Sequence, residues 1–241
     1  MTRFNINLTI IFCFLSIINI SYAKCCSKDT ICSVKQFTKV DLLYQDNFEN
    51  GMDRWIAETP ESEFSKIEIV DGNLVVDVDY GATVWFKKKL SENILIEYNR
   101  KVIMKNGHND RLSDLNQFWM ATDPRRANVF TRSGKFSQYD SLRLYYAGIG
   151  GNTNSTTRFR KYRGNGERML LFDLQDKHHL LQPNKDYFIQ IVVYKGTTKL
   201  FVDSELYFSF TDKKPLIEGY FGFRTVKSHQ EMDDFRVYSL K

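Results

Sequence analysis

At 241 residues, with 42% hydrophobic and 15% aromatic content, the chain is long enough to fill one domain and too apolar for a disordered tail. A formal charge of +5 gives a mild cationic excess, which helps to attract a polyanion without specifying one. No run beyond the N-terminus approaches the roughly 20 apolar residues of a membrane helix. No helical or RNA-reading motif of a nucleic-acid binder is present, so neither a membrane span nor a nucleic-acid partner is expected.

Residues 1–23 read as a secretory signal peptide. Arg3 supplies the charged start, residues 10–20 the apolar stretch, and Ser21-Tyr22-Ala23 the small-x-small cleavage site. The chain is therefore expected to be secreted or periplasmic. Residues 24–39 form a polar lead-in holding Cys25, Cys26 and Cys32. Three thiols allow one bridge, from Cys32 to Cys25 or Cys26, in an oxidising compartment. Ala-Lys-Cys lacks the small residue that a lipid-anchored cysteine has directly before it, and no second Cys pair or His-rich segment accompanies these cysteines to make a zinc site.

Residues 41–48 (DLLYQDNF) form the first predicted strand, and Trp55 follows as a core or edge aromatic. Residues 65–70 and 73–79 flank Asp71-Gly72, a strong hairpin signal. A strand over 82–87 precedes one over 94–104, where Leu95, Glu97, Asn99 and Lys101 alternate with Ile94, Ile96, Tyr98 and Arg100. Residues 105–115 are a polar loop with His108. A strand over 117–121 carries Trp119 and breaks at Asp123-Pro124. Residues 125–138 are long, basic and irregular, as insertions bordering binding sites often are.

The centre of the chain is residues 140–169. In the run 142–147, Arg143 and Tyr145 share one face, opposite Leu142, Leu144 and Tyr146. In the run 157–162, Arg158, Arg160 and Tyr162 lie together, opposite Phe159 and Lys161. Guanidinium forks grip carboxylates or sulfates, and Tyr rings stack while keeping a polar tip, so these faces suit an acidic carbohydrate lying on a sheet. Strands over 170–174, 186–194, 198–203, 205–210, 219–226 and 234–240 complete the pattern, with His178-His179 and a Pro183-Asn184 turn between. Evenly spaced short strands without helical periodicity, repeat or linker imply a single all-β domain over 40–241, an antiparallel sandwich or barrel.

The C-terminal third, YFIQIVVYKGTTKLFVDSELYFSF and GYFGFRTVKSHQEMDDFRVYSL, resembles the concanavalin-A-like lectin/glucanase superfamily, which implies a two-sheet jelly-roll sandwich. The middle, with FWMATDP, FTRSGKF and LRLYYAGIGGNTNSTTRFRKYRG, is similar to the YesU-like secreted bacterial proteins of acidic-polysaccharide utilisation clusters. That resemblance implies work on carbohydrate without fixing the reaction, because jelly rolls include hydrolases, lyases and plain binding modules. The Glu-x-Asp-x-x-Glu motif of laminarinase-like hydrolases is absent. So are the Gln-x-His and Tyr-x-Lys motifs of alginate-lyase jelly rolls, and neither site transfers.

From the residues, a uronate-holding cluster of Arg143, Arg158, Arg160 and Arg224 is expected, neutralising a carboxylate so that the neighbouring proton can be eliminated. Tyr145 or His229 would move protons, Tyr145 as a phenolate favoured by nearby cations. Tyr162, Asn116 and Asp123 would contact substrate, and Trp119 is either a sugar-stacking platform or core. The leading expectation is a polysaccharide lyase acting on an acidic polysaccharide or oligosaccharide. The alternatives are a non-catalytic glycan-binding module or a glycoside hydrolase using Asp123 with Glu97. No cofactor or catalytic metal is expected. Carboxylates near Asp46 and Asp234, where the first and last strands meet, are of the ligand type that suits a structural Ca2+.

Overall fold

Alternation of apolar and polar residues becomes strand pairing from Lys39 onward in the computed structural model, which describes residues 33–241. The expected leader and Cys25, Cys26 and Cys32 lie outside the described residues. In chain order the strands are β1 (Lys39–Asp46), β2 (Trp55–Glu58), β3 (Lys66–Val70), β4 (Asn73–Phe86), β5 (Leu90–Ser91), β6 (Ile94–Val102) and β7 (Leu115–Thr122). There follow β8 (Arg143–Gly150), β9 (Thr156–Arg163), β10 (Arg168–Leu174), β11 (Asp186–Tyr194), β12 (Thr197–Val202), β13 (Glu205–Thr211) and β14 (Glu218–Leu240). Every pairing is antiparallel.

A front layer runs β10-β9-β8-β7-β14-β4-β2, and a back layer runs β13-β12-β11-β6-β14. β14 serves both: residues 222–224 pair with β7, and residues 230–239 pair with β6. The inner faces meet through stacked aromatics. Trp119 of β7 lies on Phe159 of β9 at 5.5 Å and 2°, and Phe159 lies 5.7 Å from Phe208 of β13. Trp119 Nε1 also donates to Thr198 Oγ1 of β12 at 3.0 Å. Burying each such ring stabilises by roughly 2–3 kcal/mol, and of these contacts Phe159 on Phe208 and Trp119 to Thr198 join the two layers.

The expected hairpin at Asp71-Gly72 is present, with both residues at positive φ (49° and 76°) as a tight turn requires. Two expectations differ. The separate strands over 73–79 and 82–87 are one strand, β4, and those over 219–226 and 234–240 are one strand, β14. Polar residues 227–233 look like a loop because β14 bulges between Val226 and Ser228 as it passes from one layer to the other.

A second aromatic layer covers the outer face of the front layer. Trp85, Phe118, Leu144, Tyr146 and Tyr162 point outward there and are roofed by residues 123–142, whose 3-10 turn Phe136–Ser141 brings Tyr139 and Leu142 down onto them. The basic insertion is therefore packed structure on the sheet.

Candidate functional site

Strand register decides which side chains meet. Arg224 pairs with Asn116, Asn116 with Gly148, Gly148 with Arg158 and Arg158 with Asp173, giving one straight row across β14, β7, β8, β9 and β10. The next row places Phe118, Tyr146 and Arg160 side by side. Both rows face outward. Because Gly148 has no side chain, the Tyr146 hydroxyl and Asn116 Oδ1 can close in over the sheet floor there. A Cβ at that position would stand 2.1 Å from the Tyr146 hydroxyl and 2.5 Å from Asn116 Oδ1. The result is a pit of about 80 Å³ walled by Asn116, Tyr146, Arg158, Arg160, Phe136 and Asn152.

Polar groups in the pit and beneath the neighbouring roof are incompletely satisfied from within. Asn116 Oδ1 and the Tyr162 hydroxyl are buried without a partner, as are Arg224 Nε and Nη2. Arg158 is held by Asp173 at 3.0 Å, whereas Arg160 stacks on the Tyr146 ring at 5.5 Å and pairs with no carboxylate among the described residues. Arg224, 1% exposed, lies behind Phe136, its guanidinium 5.3 Å from that ring and 5.2 Å from Tyr139. One of its nitrogens donates to the Gly134 carbonyl at 2.6 Å. Burial lowers its pKa, opposed by the nearby Tyr139, Tyr146 and Asp114. The one acid lining the pit, Asp114, is engaged by Arg111 and Ser113. Arg100 pins the row from inside by donating to the carbonyls of Asn116 and Arg224.

Arg158, Arg160, Tyr162, Arg224 and Asn116 thus share one face, but only Asn116, Arg158 and Arg160 line the pit, whereas Tyr162 and Arg224, expected to contact substrate, are buried beneath the roof. The other expected residues do not join them. Arg143 and Tyr145 pair with Arg163 and Lys161, so they lie on the opposite face of the front layer. Tyr145 is core, its hydroxyl 2.6 Å from Asp212 Oδ2. Burial and the Asp212 carboxylate raise its pKa, the reverse of the expected phenolate. Trp119 is core as well, so it offers sugar no platform. His229 lies beyond the bulge on the outer face of the back layer, 3.2 Å from Asp110. Arg143 borders a larger groove of about 800 Å³ with Lys213 and Lys214. There Lys161, Asp212 and Tyr145 satisfy one another, which marks an anchor for the β13–β14 connection.

The hydrolase pair is also separated. Glu97 is buried on the outer face of the back layer, held by Lys39 at 2.7 Å and Gln190 at 2.6 Å. Asp123 ends β7 in the front layer and fastens the roof, gripped by Arg125 and, at 2.7 Å, by Arg132. Burial alone would raise its pKa, but hydrogen bonds from Arg125 and Arg132 outweigh that and bring it down to about 2. A proton-donating acid needs the opposite shift. Asp46 spends its oxygens on the Phe48 amide and Trp55 Nε1, both at 2.9 Å, and Asp234 is bonded to Arg236.

The Asp123 geometry predicts an acid-sensitive roof. A carboxyl with a depressed folded pKa contributes stability that is complete above its unfolded value, about 4, and is lost as pH falls through about 2. Denaturant melts at stepped pH should show wild type more stable than Asp123→Asn at neutral pH, with the gap closing across that window. A gap that stays constant down to pH about 2 would refute the assignment.

Sequence reasoning missed Tyr146, Asp114 and Glu58. Gly148, a glycine inside a strand of large residues, was the available signal for the pit. Glu58 joins the roof to the sheet: its carboxyl accepts from Trp85 Nε1 and the Tyr139 hydroxyl, both at 2.8 Å, and from the Arg132 amide at 2.6 Å.

Solved structures share this fold at low identity. A Bacillus subtilis protein of unknown function with a galectin-like fold aligns with TM-score 0.71 and 17% identity, covering 85% of this chain and 98% of that one. The carbohydrate-binding module CBM66 from Bacillus subtilis aligns with TM-score 0.54 and 13% identity over 78% and 97% of the two chains. An endo-beta-1,3-glucanase from Pyrococcus furiosus gives 0.58 and 12% over 85% and 98%. No curated protein matches by sequence. The fold is thus the two-sheet antiparallel jelly roll expected. Residues 76–235, which hold the whole pit, match the family described as Domain of unknown function (DUF6250), and the chain belongs to that family.

Proposed function

We propose that this is an exported carbohydrate-active protein that holds a negatively charged sugar of an acidic polysaccharide in the Gly148 pit. One observation carries the reading. The unneutralised charge at the pit is cationic, from Arg160 at its wall and Arg224 behind it, while its one lining carboxylate is already engaged. A uronate carboxylate or a sulfate would supply the missing anion to Arg160, and hydroxyls would meet Asn116 and Asn152. The resemblance to YesU-like proteins and the carbohydrate-binding module and glucanase among the structural neighbours point the same way.

A second reading, cleavage by β-elimination, rests on Tyr146. Its hydroxyl bonds to nothing among the described residues and sits beside Asn116 and Arg160. Tyr146 would take the proton from C5 of a uronate, the C4–O bond would break as C4=C5 forms, and the proton would pass to the departing oxygen. This step requires the Tyr146 phenolate, and burial, with Tyr162 and Asp114, raises the Tyr146 pKa and so disfavours it. Binding is therefore the primary reading.

Affinity electrophoresis through polygalacturonate, rhamnogalacturonan, ulvan or a glycosaminoglycan should retard the protein, and a neutral β-glucan should not. Equal retardation in the neutral gel, or none in any gel, would overturn the proposal. A rise in ultraviolet absorbance from the unsaturated uronate would establish elimination, and Tyr146→Phe should then abolish the rise while keeping retardation.

A further inference from the structure

The His178-His179 pair takes no part in the pit and is built by a different stretch of chain. Asp176 caps the 3-10 turn Lys177–His179, accepting from the His178 amide at 3.1 Å. The same carboxylate holds His179 Nδ1 at 2.7 and 2.8 Å, and the Tyr207 ring meets the His179 ring edge-on at 4.7 Å. His179 is thus oriented by two neighbours that leave its Nε2 uncommitted. Opposite it, His178 Nε2 lies 2.6 Å from Glu205 Oε2 of β13. One donor atom from each of His178, His179 and Glu205 lies within 4.8 Å of the other two.

We propose that His178, His179 and Glu205 bind a divalent transition metal of the Zn2+ class, with Asp176 fixing the ring of His179. Two imidazoles and a carboxylate form an N/O set that suits Zn2+, Cu2+ or Ni2+, whereas Ca2+ and Mg2+ take oxygen. A carboxylate on the far nitrogen is the partner that a metal-bound imidazole ordinarily has. The His178 and Glu205 side chains are 65% and 47% exposed, so an ion reaches them from solvent and replaces their direct contact. The ion cross-links the β10–β11 connection to β13. That connection also buttresses the rim of the pit, where the His179 carbonyl accepts from Thr157 Oγ1 and Asn154 clasps the backbone of Leu181.

The test titrates the metal-free full-length chain with Zn2+ by calorimetry, and with Co2+ while visible ligand-field bands are recorded. One equivalent should bind. His178→Ala and His179→Ala should each weaken it by about tenfold or more, and Asp176→Asn by about tenfold. Thermal melts in chelator check that each variant is folded. A variant carrying Cys25→Ser, Cys26→Ser and Cys32→Ser should bind as wild type does. Unchanged affinity in both His178→Ala and His179→Ala, loss of binding in the cysteine variant, or no saturable heat with millimolar Zn2+ would each overturn the proposal.

Discussion

Arg160→Ala should weaken retention on an acidic polysaccharide by roughly 10- to 100-fold, because a hydrogen bond between charged partners contributes about 1.5–3 kcal/mol. The fold should survive. The Arg160 side chain makes no hydrogen bond among the described residues, and losing its stacking on Tyr146 costs about 1 kcal/mol. Arg160→Lys should recover part of the affinity, since an ammonium restores the charge without the planar fork. Arg143→Ala is the matched control: the side chain is also cationic and exposed, but on the other face of the same layer. Dissociation constants for the three variants decide the matter. Equal losses from Arg160→Ala and Arg143→Ala would mean diffuse attraction to a basic surface, and raised salt would then erase both.

That comparison turns on a quantity the sequence does not carry. Within each strand the alternation was legible: Arg143 with Tyr145, and Arg158 with Arg160 and Tyr162, share faces as read from period two. Which face of β8 continues into which face of β9 depends on the turn between them, where Asn152, Thr153 and Asn154 all take positive φ (51°, 58° and 57°). This turn sets Tyr146, not Tyr145, opposite Arg160, and a shift of one residue would reverse the result. Arg224 opposes the core residues Phe221 and Phe223, as a period of two implies. Its burial was not legible, because the covering residues 123–142 carry no periodicity that announces a roof. His229 was misplaced for a similar reason, since the bulge before Ser228 lies in a polar stretch that reads as loop.

Glu58→Ala should be among the most damaging single substitutions, costing about 4 kcal/mol and abolishing glycan binding together with stability. The side chain is buried, and its carboxyl receives the Trp85 indole, the Tyr139 hydroxyl and the Arg132 amide. Alanine would leave three donors without acceptors in an apolar layer, each a desolvation loss of about 1–3 kcal/mol, partly relieved if the roof lifts and admits water. Lifting would carry away Phe136, the wall that separates Arg224 from the pit. Buried cation and binding site should therefore fail together. Glu58→Gln separates charge from shape: its carbonyl can still accept from Trp85 and Tyr139, but its amide would point donors at the Arg132 N–H. An intermediate loss of about 2 kcal/mol is expected. Urea melts followed by tryptophan fluorescence, alongside retention of the folded fraction, measure both effects. If Glu58→Ala melts within about 1 kcal/mol of wild type and still binds, the roof is held by its aromatic packing alone and the carboxyl is dispensable.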